Sequence, residues 1–396
     1  MPYDANVRRD LNKPLPGPPD PWAPSDMPPF RPRPPYAMTE MIAAEPALAE
    51  RLVHRLATDT ALVELASAVR MAVADGRPVL TTGCGTSEHA AMGVAALLNE
   101  ALGVATGREV RSVPALEMLR RPPADGLLLA ISHEGGTEIT NQAMRAAGAA
   151  GSRTALITVG SGSPGAQIAE LVVATGEQDQ SWCHTVGYLS PLLVGVVLAA
   201  RLAERPADAL AIRAVLDVTD DPHAAASVAA ALAGADRLMV VGSGPDYVSA
   251  RELAIKIAEG ARQPAAAYEL ESVLHGHLAA ATRWTALVVV LTDDDPGPGT
   301  TVVRERAIRL LAAARALAVP AAAILAEPHA AAIAPEDTPG GRIVTPRTGR
   351  VGGVAGSLLG SAVALQLLAE RMARAHGVDP DTLGRENAAQ EAAARA

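Results

Sequence analysis

The stretch that decides the fold is Arg237-Leu-Met-Val-Val-Gly-Ser-Gly-Pro-Asp-Tyr-Val-Ser-Ala-Arg-Glu-Leu-Ala-Ile-Lys-Ile-Ala-Glu-Gly-Ala261. It opens on a short apolar run, Arg237–Val241, without the alternation of a half-exposed strand. Such a run reads as a strand covered on both faces. It then turns through Gly242-Ser-Gly-Pro245 into a helical segment, Tyr247–Ala261. A strand, a glycine turn and a helix in that order form the repeating unit of a parallel sheet covered by helices.

The same rhythm extends in both directions. Upstream strand candidates are Val79–Thr82, Val110–Val113, Leu127–Ile131, Ala155–Val159 and Leu171–Thr175. Downstream of Arg237–Val241 come Ala265–Tyr268, Ala286–Leu291, Ala321–Ala326 and Arg342–Val344. Helical segments such as Glu88–Leu102, Glu138–Ala150 and Val303–Ala316 lie between them. The chain therefore reads as α/β, a parallel sheet with helices on both faces, in two tandem halves that look like a divergent repeat. The divisions are 1–37 for a Pro-rich extension, 38–215 and 216–378 for the domains, and 379–396 for a tail. A helix is expected from about Thr39, a residue suited to cap it.

In open parallel sheets the ligand lies beyond the carboxyl ends of the strands. Two strand ends of the first half carry small polar residues, Gly83-Cys-Gly-Thr-Ser87 and Ser132-His-Glu-Gly-Gly-Thr137. Gly242-Ser-Gly-Pro245 is their counterpart in the second half. Glycine lets the backbone turn tightly, and the N–H groups of the next helix can hold an anion. Three such loops point to a phosphate or polyol ligand.

Composition narrows the function classes. The formal charge of −9 argues against a nucleic-acid partner, since a phosphate backbone calls for a basic face. Apolar residues make up 49% of the 396-residue chain and aromatics only 2%, so the core is built from Ala, Val, Leu and Ile. Cys84 and Cys183 form no C-x-x-C pair, so no zinc site and no other metal or cofactor is expected. No charge-free run of about 18 apolar residues and no signal peptide is read, so a cytoplasmic protein without a membrane span is expected. Residues 1–36 are dense in Pro and are expected to run extended over a surface or to stay mobile, with Trp22 and Phe30 as anchors.

Lys256 stands out against the rest of the chain. Of 34 basic residues only Lys13 and Lys256 are lysines, and Lys13 lies in the Pro-rich extension. A surface ion pair would be served equally by Arg, whereas chemistry on an exchangeable amine proton would not. Glu259 lies at i+3, on the same helix face. His275 comes later, in a His-Gly-His sequence.

These residues carry a resemblance to the tandem sugar isomerase (SIS) domain family, and within it to the isomerase half of glutamine–fructose-6-phosphate aminotransferase. Cys84-Gly-Thr-Ser87 is identical to that family's first loop, and Ile131-Ser-His-Glu-Gly-Gly-Thr137 is similar to its second. Met38-Thr-Glu-Met-Ile-Ala-Ala-Glu-Pro46 resembles its opening helix. Gly242, Gly244, Tyr247, Glu252, Lys256, Glu259, His275 and Gly276 keep the family's order and gaps. The resemblance covers residues 38–380. It implies two doubly wound parallel-sheet domains of flavodoxin-like type in tandem, and a homodimer in which a histidine loop reaches into the neighbour's site. It implies Glu259 as the base that shuttles a proton between C1 and C2, Lys256 as manager of hydroxyl or amine protons, and His275 as the aid to ring opening. Gly85, Thr86, Ser87, Ser132, His133, Glu134, Thr137 and Ser243 would bind the sugar or sugar phosphate.

Four departures reshape that expectation. No glutamine-hydrolysing domain with an N-terminal cysteine is read, so amination would need free ammonia. No lysine lies beyond Val378-Asp-Pro-Asp381, where the aminotransferase has its Schiff-base lysine, so the full aminotransferase reaction is not expected. Glu134 stands where the family has a phosphate-binding serine, and its carboxylate would repel a phosphate unless a protonated His133 offset it. Gln180–Tyr188 replaces the family's Ser-Thr-Lys segment, bringing Trp182 and His184 toward the pocket. The sequence thus predicts a sugar isomerase-type enzyme acting by C1/C2 proton transfer, through isomerisation, deamination or deglycation. A non-catalytic sugar-phosphate-binding regulator is the competing reading.

Overall fold

The structure, a computed structural model, describes residues 10–103, 109–217 and 223–395. The first nine residues of the Pro-rich extension lie outside the described residues. The first sheet comprises β1 (Val79–Thr82), β2 (Arg111–Ser112), β3 (Leu127–Ile131), β4 (Arg153–Thr158) and β5 (Leu171–Ala174), in the order β2-β1-β3-β4-β5. The second comprises β6 (Arg237–Gly242), β7 (Ala265–Glu269), β8 (Thr285–Leu291), β9 (Ala321–Ala326) and β10 (Arg342–Thr345), in the order β10-β9-β8-β6-β7. All neighbours are parallel. Each sheet, counted from its own first strand, has the order 2-1-3-4-5 of flavodoxin-like sheets.

The apolar runs read in the sequence correspond to these strands with small shifts at their ends. The run Val110–Val113 contracts to two residues because β2 is an edge strand, paired in register with Leu80 and Thr81 of β1. The inner strands β3 and β8 are buried along their whole length, which is why their sequences are continuously apolar.

The halves share one core. Its largest apolar cluster draws residues from both sheets and from the helices Thr86–Leu102, Val186–Leu202 and Gly353–His376. The last of these is long and apolar enough to cross a membrane, but 83% of its most apolar window is buried inside the protein. The halves meet where the helices that follow the first strand of each, Thr86–Leu102 and Pro245–Lys256, pack together. Arg251 clamps them by an ion pair to Glu88 at 2.9 Å.

The opening helix begins at Ala37 rather than after Thr39. The cap comes from the opposite end of the chain: Asp381 accepts from the N–H groups of Ala37 and Met38 at 2.6 and 2.8 Å. Such a partner has no local signature. The described part of the Pro-rich extension lies across the first half. Leu15 is its buried anchor, and Leu15 N–H donates to Glu177 at 2.8 Å. Trp22 anchors it as expected, donating through its indole to the Glu134 carbonyl. Phe30 does not, being 51% exposed.

Candidate active site

Gly85 and Gly244 start the helices that follow the first strand of each half with nearly the same backbone, φ 57° and ψ −128° against φ 58° and ψ −131°. Only glycine adopts that region freely. The repeat is therefore written in conformation as well as in sequence. The halves diverge two residues beyond each glycine. Ser87 opens toward a cleft, whereas its counterpart Asp246 is fully buried and accepts from Thr292 N–H, Thr292 Oγ1, Ser357 Oγ and Asp293 N–H. The second half closes its own loop on itself, and the cleft belongs to the first half and the seam.

That cleft has a volume of about 860 Å³. Gly85, Thr86, Ser87, His133, Glu134 and Thr137 line it from the first half, and Lys256 and Glu259 from the second. Ser132 sits just behind, buried, with its hydroxyl donating to Thr137 Oγ1 at 3.4 Å. Ser243 and His275 are not brought in. Ser243 donates to Glu269 at 3.1 Å in the second half. His275 is 75% exposed and pairs with Glu271 at 3.1 Å.

The chemistry concentrates at the end of the Pro245–Lys256 helix. There the helix widens into a single π-helical turn, Ile257–Ala261, closed by Arg262 at φ 55°. Such turns re-aim side chains and recur at functional sites. Here the turn carries Glu259 to the cleft, beside Lys256. Lys256 is fully buried, with its ammonium 2.6 Å from Glu259 and 3.7 Å from Glu252. Glu252, also buried, reaches across the seam to His89 Nδ1 at 2.8 Å and accepts from Thr86 Oγ1 at 3.2 Å. Burial alone would depress the Lys256 ammonium, but the Glu259 and Glu252 carboxylates outweigh it and hold its pKa above the ordinary value. Burial likewise works to raise Glu252, and Lys256 with His89 and Thr86 brings it below the ordinary carboxylate range. Lys256 is therefore a standing ammonium that orients Glu259 and can donate a proton. The amine is not poised to lose its proton at rest.

His133 cannot offset the charge of Glu134. Its Nε2 accepts from Asp179 N–H at 3.0 Å, and burial together with His184, whose ring lies 4.9 Å away, pushes its pKa down to about 3. Glu134 itself is occupied in a way the sequence does not foretell. Its carboxylate accepts from Ser25 N–H and Gln178 Nε2, both at 3.2 Å, and its carbonyl accepts from Trp22 Nε1 at 2.8 Å. Trp22, Pro24 and Ser25 thus become part of the cleft wall, and Ser25 Oγ accepts from Trp182 Nε1 at 3.2 Å. Leu383, Arg385 and Ala394 of the tail complete the wall.

Sequence reading misses the extension and the tail. Nothing local marks Ser25 or Arg385 as site residues. Glu252, one helical turn before Lys256, is among the positions matching the family but receives no role from the sequence, and His89 could have been found because it lies just past the first loop. Among the described residues no group of three or more His, Cys, Asp or Glu side chains is set to hold a metal. Cys84 lines the cleft, but burial raises its thiol pKa, which disfavours a thiolate nucleophile.

Comparison with known proteins agrees with this architecture. No protein-family model matches the chain. The glutamine–fructose-6-phosphate aminotransferases of Symbiobacterium thermophilum and Halobacterium salinarum are each 29% identical to it, over 66% and 65% of this chain. The match spans only 45% of the length of each relative. The C-terminal domain of the glucosamine-fructose-6-phosphate aminotransferase from Francisella tularensis superposes with a TM-score of 0.73 at 17% identity, covering 88% of this chain and 98% of that one. Tagatose-6-phosphate ketose/aldose isomerase from Escherichia coli gives 0.66 at 18% identity, covering 90% and 98%. Glucosamine-6-phosphate deaminase from Thermotoga maritima gives 0.61 at 16% identity, covering 87% and 96%. Sequence and fold together place this chain among the relatives of the tandem sugar isomerase (SIS) proteins.

Proposed function

We propose that the chain is a sugar isomerase-type enzyme that moves a proton between C1 and C2 of a sugar phosphate or amino-sugar phosphate. The observation that carries this reading is the buried Lys256, whose ammonium holds the carboxylate of Glu259 at the cleft. A site that only binds a sugar has no need of a carboxylate aimed by a buried ammonium. Glu259 takes the proton from one carbon of the open-chain sugar and returns it to the neighbouring carbon. Lys256 keeps Glu259 in place, supplies a proton to the carbonyl oxygen or imine nitrogen, and recovers one from the hydroxyl on the neighbouring carbon, so that it ends the step as the ammonium it began. Gly85, Ser87, Thr137 and the loop Ser132–Glu134 provide the polar wall for the sugar. Thr86 acts at one remove, through its bond to Glu252.

We further propose that the enzyme works as a homodimer, with His275 serving ring opening in the neighbour's site. Its high exposure and its distance from the cleft of its own chain support this. The sequence relatives are named for fructose 6-phosphate, which supports a ketose phosphate as the first substrate to test.

The test is proton exchange in deuterated water with fructose 6-phosphate and glucosamine 6-phosphate, monitored by NMR at C1 and C2. Exchange is expected with the native protein. Glu259→Gln is expected to lower the rate by about a thousandfold or more while leaving binding largely intact. Binding without exchange in the native protein would mark a sugar-binding regulator instead.

A further inference from the structure

The charged residues lining the cleft are Glu134, Lys256, Glu259 and Arg385. Lys256 is committed to Glu259 and Glu252. His133 and His184 are neutral near pH 7, since burial pushes their pKa down to about 3 and 4. Arg385 forms no ion pair with any carboxylate among the described residues. Its guanidinium lies 4.6 Å from the centre of the Trp182 ring, and its backbone N–H donates to Thr382 O at 3.0 Å.

Both ends of that arrangement are fixed. Trp182 N–H donates to Asp381 O at 3.0 Å, and its indole donates to Ser25 Oγ. The tail on the other side of Arg385 is held by Glu386, which pairs with Arg262 at 2.6 Å. Arg262 is the residue that closes the π-helical turn of Glu259. The tail cation is thus tied to the element that carries the proposed base.

The hydroxyl loops are poorly placed to hold an anion unaided. The hydroxyl of Thr86 is spent on Glu252, that of Ser132 on Thr137, and the second loop presents the carboxylate of Glu134. An anion entering the cleft meets one cation whose charge is not already balanced. A guanidinium stacked on an indole keeps its N–H edge free for two oxygens of a phosphate or carboxylate.

We propose that Arg385 binds the anionic group of the substrate, making it a specificity-determining residue of the cleft. The substrate is accordingly a sugar derivative bearing a phosphate or a carboxylate, and that group seats at the Arg385–Trp182 corner and not on the Glu134 loop. The assignment rests on the sugar-site reading given above.

Titration calorimetry on the full chain tests it with three probes: fructose 6-phosphate, fructose carrying glycine on C1, and fructose itself. Native protein is expected to bind at least one of the two anionic probes more tightly than fructose. Arg385→Gln should weaken that probe by at least about tenfold and leave fructose within about twofold. Arg385→Lys should recover part of the loss. Selective loss of fructose 6-phosphate identifies a phosphate group, and selective loss of the glycine adduct a carboxylate. Unchanged anion binding in Arg385→Gln overturns the assignment. So does an equal loss of all three probes, which would mark a structural role, and so does native protein that binds no anionic probe better than fructose. Absence of proton exchange combined with selective anion loss would refute the enzyme reading and leave Arg385 as the anion site.

Discussion

A lysine without exposed surface must have its charge answered inside the protein, and Lys256 has two carboxylates within 4 Å to do so. The three charges form a unit whose parts are costly to separate. Lys256→Met would leave Glu252 buried against an apolar side chain. Removing one partner of a buried ion pair costs about 3–5 kcal/mol. We expect a loss of stability of that size in urea unfolding, and a Glu252→Gln/Lys256→Met double variant should recover part of it. A loss under about 1 kcal/mol would mean that water reaches the Lys256 site.

At the level of elements, the second loop and the Pro-rich extension behave as one structure. Glu134 holds Ser25 and Trp22, and Trp22 packs against Gly136, where an added Cβ would lie only 3.0 Å from the ring. Glu134→Ala removes the side-chain half of that attachment and keeps the backbone half. Limited proteolysis is expected to cut within residues 17–30 several-fold faster in the variant, with a melting temperature close to native, because the core is untouched. Equal cleavage rates would show that Leu15 and the Trp22 contacts hold the extension by themselves. The π-helical turn makes the same point. Tyr247–Ala261 reads as one helix, yet the last turn widens, and Glu259 faces the cleft because of it.

For the whole molecule, the seam around the cleft has a pH signature. His133 and His184 are buried and neutral in the folded protein, with pKa values near 3 and 4, against 6.5 for an ordinary histidine. The unfolded chain binds their protons from about pH 6.5 downward and the folded chain does not. The contribution of this pair to stability is therefore complete above about pH 6.5 and is lost progressively as the pH falls toward 4. Melting temperatures of native protein and of a His133→Gln/His184→Gln variant should accordingly converge as the pH drops from about 7 to about 4.5. Parallel curves would mean that the rings titrate normally. The comparison between variants isolates the pair from Asp381, whose burial raises its pKa to about 6 and which acts in the opposite direction.

The two parallel sheets, the glycine turns and the Lys256–Glu259 pair are legible in the amino-acid order, because each depends on neighbours within one helical turn or one strand. Gly85 and Gly244 are needed where they stand whatever surrounds them, and a strand buried on both faces must be apolar throughout. The part of the cleft wall supplied by the extension and the tail is not legible. Ser25 and Arg385 come from opposite ends of the chain and meet at Trp182, which the sequence does place near the pocket, only because Asp381 caps the opening helix and Glu134 holds the extension. Likewise, the sequence presents Lys256 as an amine able to release its proton, and only its burial against the carboxylates of Glu259 and Glu252, at 2.6 and 3.7 Å, makes it a fixed ammonium. Sequence determined the repeat and the charged pair through local geometry. Tertiary structure decided which charges are balanced and which remain open to a ligand, since charge balance depends on distance and burial across the seam.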